Sequence, residues 1–246
     1  LAAAMVLLLA ALCASNEAAA QTVFPRVIVG VDEAESPQEV ALSLQILFLL
    51  TVLSLAPAIL IMTTSFTRVV VVLSFVRSAL ATNQMPPNQV LIGLALFLTF
   101  FIMAPTWQAV NEYALQPYLA QEIGQQEAIE RALEPLREFM FRHTRERDLA
   151  LFMEMSGAGQ PYDPSDVPTS ALVPAFIISE LKSAFQMGFI LFVPFLVIDM
   201  IVASTLMSMG MLMLPPVMIS LPFKILLFVM VDGWHLVVRS LLLGYQ

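Results

Sequence analysis

Long apolar runs separated by short polar or proline-marked breaks set the pattern of this chain. Residues 40–62, "VALSLQILFLLTVLSLAPAILIM", carry no charge. At 1.5 Å per residue they are long enough to cross a bilayer with some tilt, and Pro57 is expected to kink the helix. "VLIGLALFLTFFIMAPTW", residues 90–107, predicts a second span, with Trp107 as an interfacial anchor. Two more candidate spans follow residue 170. They are interrupted by Pro194, Asp199, Lys224, Asp232 and Arg239. Charges at such depths normally face a bundle interior or an aqueous path. Between the first two spans, residues 66–81 are apolar but short and carry Arg68 and Arg77, nine residues apart and therefore on opposite sides of a helix. Met85-Pro86-Pro87-Asn88 ends that helix.

Residues 108–170 break the pattern. Eleven acids meet five arginines there, and apolar residues recur at helical spacing through "QEAIERALEPLREFMFRHTRERDLALFMEM". Glu134-Pro135 marks a helix start or a kink, and "SGAGQPYDPSDVP" reads as an exit loop. The pattern predicts an all-α membrane protein with about four spans, a broken-helix loop between the last two, and a small extramembrane helical hairpin. The expected map is a signal peptide over 1–20 and a periplasmic N-terminal segment over 21–40. The first span follows over 41–64, an amphipathic or re-entrant helix and loop over 65–88, and the second span over 89–107. A periplasmic helical region covers 108–170 and a third span with its entry helix 171–206. A Met-rich loop over 207–219 and a fourth span over 220–243 complete it.

Composition agrees with the pattern. The chain is 59% hydrophobic and 12% charged, against about 25% charged residues in soluble domains. Its net charge of −8 argues against a nucleic-acid binder, which needs a basic face to neutralise phosphates. Asp32, Glu33, Glu35 and Glu39 precede the first span, whereas Arg68 and Arg77 follow it. The positive-inside rule therefore puts the N-terminal side outside and the arginines in the cytoplasm. The apolar run from Met5 to Leu12, too short to span, is followed by Ala18-Ala19-Ala20, which predicts signal cleavage between Ala20 and Gln21. A lipoprotein reading of Cys13 is set aside, because Leu12 stands where a small residue is needed. After cleavage no cysteine remains for a disulfide or a thiolate metal site.

Candidate chemistry is sparse. There is no phosphate-binding G-x-x-x-x-G-K-[ST] loop and no G-x-S-x-G elbow, and His143 and His235 lack metal-ligand partners. No catalytic residue, metal site or cofactor is expected, and the chain is not expected to be an enzyme. Glu180 and Lys182 are two residues apart and face different ways, leaving interfacial anchoring and intersubunit pairing as readings for Glu180. Asp199, a lone deep acid, reads as a packing or assembly contact in preference to a proton relay. Lys224 is a candidate assembly residue that could equally snorkel to an interface. Most distinctive is "LMSMGMLMLPPVM", residues 206–218, where methionines alternate across Gly210 and end at Pro215-Pro216. Irregular backbone at membrane depth is tolerated where it is buried in protein or lines a cavity. The stretch therefore points to a pore constriction.

The stretches "SFTRVVVVLSFVRSALATNQMPPNQVLIGLALFLTFFIMAPTW", "LVPAFIISELKSAFQMGFILFVPFLVIDMIVAS" and "MGMLMLPPVMISLPFKILLFVMVDGWHLV" closely resemble the FliP/SctR family of type III export-gate subunits, over nearly all of residues 41–238. The signal peptide and acidic insert look like the flagellar branch. The resemblance implies a pore-forming subunit that passes unfolded flagellar proteins through the inner-membrane gate. It further implies a ring of five copies joined by FliQ and FliR and other export-apparatus proteins, at the flagellar basal body. It maps the constricting loop onto Met209, Gly210, Met211, Leu212, Met213 and Leu214, and assembly positions onto Phe139, Phe152 and Glu180. The chain reads Met-Leu-Met where relatives often carry three methionines, a volume-conserving swap. Unbranched methionines can repack around varied cargo and keep an idle pore dry. Two other readings are a secondary ion or small-solute transporter, with Asp199 and Lys224 as coupling groups, and a structural nucleus for basal-body assembly.

Overall fold

The computed structural model describes residues 37–82, 85–157, 163–211 and 213–245. Every regular element among them is helical. Contacts divide the chain into two units, residues 1–50 and 51–246. In the first, the described part is the opening of helix α1 (Pro37–Thr63), which begins on a proline, the residue best suited to a first helical turn. Its side chains from residue 43 onward are exposed.

The second unit begins with the rest of α1, also exposed along its apolar length. Three threonine hydroxyls bond back to carbonyls in the last turns of the helix. The hydroxyls of Thr63, Thr64 and Thr67 donate to the carbonyls of Ile59, Leu60 and Ile61 at 2.9, 2.7 and 3.1 Å.

The short apolar segment becomes helix α2 (Phe66–Ala79), and it is the centre of the fold. Phe66, Val69, Val72, Leu73, Val76 and Ala79 form one buried stripe, the spacing of a helix face. They pack with Leu91, Ala95 and Leu98 of α3 (Asn88–Val110), and with Ala184 and Phe195 of α7 (Thr169–Ser208). Helices α2 and α7 approach closely at Gly188, where an added Cβ would lie 2.6 Å from the Phe75 ring.

Helix α3 passes through a π-helical turn, Asn111–Leu115, into the short α4 (Gln116–Leu119). Helices α5 (Gln125–His143) and α6 (Glu146–Ser156) then form the polar hairpin. Glu134-Pro135 does not start α5; the helix begins at Gln125 and carries Pro135 inside it. A second core of Met103, Phe139, Met140, Met153, Val167, Leu172 and Phe176 holds the hairpin against α3 and the first turns of α7. Helix α7 has 40 residues, about 60 Å. That is roughly twice the hydrocarbon thickness, so its first half packs with the hairpin while its second half continues the apolar run.

The stretch expected as one fourth span is two helices, α8 (Pro216–Met230) and α9 (Gly233–Leu243), bent by 62°. Asp232 sits at the break in the left-handed region, with φ 51°. Three described helices are long and apolar enough to cross a membrane, Ser43–Thr63, Asn88–Leu119 and Thr169–Ser208, and the bent pair makes up to four.

Candidate functional site

The α7–α8 hairpin is tipped by the methionines. Helix α7 stops because Gly210 turns left-handed, with φ 76°. The N–H of Met211 donates to the carbonyl of Leu206, and that of Gly210 to the carbonyl of Met207, both at 3.0 Å. This paired pattern closes a helix on a left-handed residue. Pro215 and Pro216 then start α8. Met209 and Met213 are 67% and 99% exposed, and Met207, Met211 and Leu214 are exposed too. These side chains are therefore not part of the subunit's core. Leu212, like Ala20 and Gln21 of the expected cleavage position, lies outside the described residues.

Asp199 is not a lone acid. Lys224 of α8 donates to its Oδ2 at 2.6 Å and the Ser220 hydroxyl to its Oδ1 at 2.6 Å. Lys224 is 2% exposed, so it does not snorkel to an interface. Phe195 and Phe228 pack with ring centroids 6.3 Å apart in the same helix pair.

A second ion pair lies fully inside the subunit. The Arg68 guanidinium grips the Glu180 carboxylate as a fork: Nε donates to Oε2 at 3.0 Å and Nη2 to Oε1. Nη1 donates to the carbonyl of Gly244 at 2.8 Å. Tyr245, just past α9, donates its hydroxyl to Glu180 Oε2. Arg68 also stands 3.9 Å from the centre of the Tyr245 ring. Glu180 is 0% exposed, with its partners in its own chain, where interfacial anchoring or pairing with another subunit was expected. Bidentate, charge-assisted bonds are what make such burial tolerable.

Phe139 stacks on Tyr245 at 6.0 Å, and His143 lies 4.8 Å from both rings, tilted against Phe139 and edge-on to Tyr245. Burial, with Arg68 and then Arg142 beside it, lowers the His143 pKa to about 4. Burial and the Glu180 carboxylate push the Tyr245 phenol well above its usual value, so it stays a donor. Phe152 is partly buried against the second core.

The hairpin is tied to α7 by polar contacts as well. The Arg145 N–H donates to Ser179 Oγ at 3.0 Å, and that hydroxyl donates to Asp148 Oδ2 at 2.8 Å. Arg137 donates to the Val167 carbonyl at 2.7 Å and to Thr169 Oγ1 at 2.5 Å. Among the described residues no three His, Cys, Asp or Glu side chains converge as a metal site would require. Sequence reasoning named Phe139, Glu180 and Lys224 but missed the roles of Arg68, Tyr245 and Asp199 as their partners.

Fold and site together define an all-helical membrane protein whose long third span turns back through an exposed methionine tip. The chain matches the model of the FliP family over residues 49–241. It is 60% identical over 217 residues to the flagellar biosynthetic protein FliP of Bacillus subtilis (strain 168), covering 88% of this chain and 98% of that one. Over 204 residues it is 55% identical to the protein of that name from Pectobacterium carotovorum subsp. carotovorum, covering 83% and 79% of the two chains. The same-named Aquifex aeolicus (strain VF5) protein is 52% identical over 206 residues, 83% and 86% of the two. The chain belongs to the FliP family.

Proposed function

We propose that this chain is a pore-forming subunit of the bacterial flagellar type III export gate, passing unfolded flagellar proteins across the inner membrane at the basal body. What supports this most is the hairpin tip: a run of methionines, broken by a left-handed glycine and ended by a double proline, whose described side chains are exposed in their own subunit. Flexible apolar side chains that are not core are available to line a lumen, where they can yield to varied cargo and repel water when idle. In the proposed gate, copies of this chain, five in a ring with FliQ and FliR, bring their tips together at Met209 to Leu214. The α1 and α3 surfaces, with Phe97, Phe100 and Phe101 exposed, meet lipid or neighbouring subunits. Phe139, Phe152, Glu180 and Lys224 act in assembly by setting the shape of the subunit. The chain works without a cofactor and is not an enzyme. An export signal is removed after Ala20.

The test is replacement of Met209, Met211 and Met213 together by alanine. The usual cost of truncating core side chains is avoided at exposed positions. The variant should assemble, continue some export, and leak small ions, read as raised conductance of the purified complex in bilayers. Failure to accumulate as an oligomer, with no leak, would return the methionines to a structural role. Normal assembly with unchanged conductance would favour a nucleus for basal-body assembly, and solute uptake by vesicles a transporter.

A further inference from the structure

Tyr245 packs against the second core, and each part of its side chain has a different partner. One ring face takes the Arg68 guanidinium at 3.9 Å, and the ring stacks on Phe139 of α5 at 6.0 Å with 16° between planes. The edge of His143 fills a third side at 4.8 Å. Its hydroxyl donates to Glu180 Oε2 and lies 3.4 Å from the Ser65 carbonyl. The preceding residue contributes as well, since the Gly244 carbonyl accepts from Arg68. Four stretches of chain thus converge on one residue of the segment after α9: the α1–α2 turn, α2, α5 and α7.

The chemistry asks for a tyrosine. A cation over a ring face needs an aromatic, and the second lone pair on Glu180 Oε2 needs a donor. Phenylalanine supplies the first alone, and an aliphatic residue supplies neither.

We propose that Tyr245 is the positioning residue that locks the extramembrane α5–α6 hairpin to the buried Arg68–Glu180 pair, so that hairpin and spanning helices set as one body before subunits assemble. This rests on the reading of the chain as an oligomeric gate subunit. Phe139 and Glu180 then act together through Tyr245, which touches both, and not as separate contacts with a neighbour.

Two readouts separate the lock from the assembly it serves. The first is trypsin cleavage of the detergent-solubilised full chain at Arg131, Arg142 and Arg147, all exposed on the hairpin but resistant while their helices hold. The second is oligomer yield on native gels. Tyr245→Leu should insert into membranes, be cut in the hairpin well over tenfold faster than the parent chain, and give little oligomer. Tyr245→Phe, which keeps the ring, should fall between the two, with hairpin opening raised roughly tenfold by loss of one charge-assisted hydrogen bond. Combining Tyr245→Phe with Glu180→Gln should cost less than the two effects multiplied, because the hydroxyl acts on that carboxylate. A protected hairpin in Tyr245→Leu overturns the lock, as does full multiplication of the two effects. A hairpin that opens while oligomer yield stays normal overturns the link to assembly. A parent chain that forms no oligomer fails the gate reading, while the trypsin comparison still decides the lock. Should Tyr245→Leu not accumulate, Tyr245→Phe and its cycle with Glu180→Gln decide alone.

Discussion

Lys224 and Asp199 form a lopsided ion pair: the ammonium is 2% exposed, while the Asp199 side chain is 32% exposed. The two ends therefore differ in what their removal leaves behind. Asp199→Asn strands a buried cation and is expected to cost about 3 kcal/mol, the lower part of the range for breaking a buried pair. Lys224→Met leaves a carboxylate that keeps its Ser220 bond and is only partly enclosed by the subunit, so it should cost less. Thermal unfolding of the solubilised protein gives the order, and a reversed order would contradict this account of the pair.

Arg68 and Glu180 make the opposite case, with both ends buried. Arg68→Met should destabilise by about 3–5 kcal/mol, because an unpaired carboxylate stays inside. Arg68→Lys keeps the charge but loses the fork and its flat contact with Tyr245, so it should fail nearly as badly. Pairing Arg68→Met with Glu180→Leu should recover much of the loss. If the double variant melts as low as Arg68→Met, the stranded charge is not the cause.

His143 gives the subunit an acid limit. Its pKa is about 4 in the fold and 6.5 unperturbed, lowered by burial, Arg68 and Arg142. Above pH 6.5 both folded and unfolded chains hold it neutral and its contribution is complete. Between pH 6.5 and 4 only the unfolded chain takes up the proton, so stability falls with falling pH across that window. His143→Gln, which cannot titrate, should flatten the melting temperature there relative to the parent. Parallel curves for the two proteins would show that other groups set the acid limit.

The periodic parts of this fold were legible in sequence, because a run such as Val40 to Met62 has one stable solution at membrane depth. So was the broken tip, since Gly210 and Pro215-Pro216 are local backbone signals. The Asp199–Lys224 pair was legible in principle: their positions centre on residues 211–212, the tip of the hairpin, as do those of Phe195 and Phe228. Opposite charges level across an antiparallel turn are a readable sign. Arg68 and Glu180 are 112 residues apart, and Arg68 and Gly244 are 176 apart. Nothing local in the sequence brings them together; packing of α2 against α7 and the fold-back of α9 do. Of the two readings of Glu134-Pro135, a helix start fails because the surrounding helix carries Pro135 in its interior, where a proline removes one backbone hydrogen bond without ending the helix.

Gly210 tests how the tip is aimed. An added Cβ would meet no atom within 4 Å, so substitution there carries no packing cost and reports the backbone alone. An L-residue held left-handed costs about 1 kcal/mol. Asparagine tolerates that conformation better than alanine, and β-branched valine worst. Stability should therefore fall in the order Gly, Asn, Ala, Val, with Gly210→Ala lower by about 1 kcal/mol. The order has a functional counterpart. A residue that refuses the left-handed turn favours further winding of α7, which would carry Met211 and Met213 around the helix and away from their present direction. In the assembled complex, idle conductance should rise through the same series, with Gly210→Asn closest to the parent and Gly210→Val farthest. Equal stability and equal conductance for Asn, Ala and Val would mean that Gly210 does not set the aim of the tip.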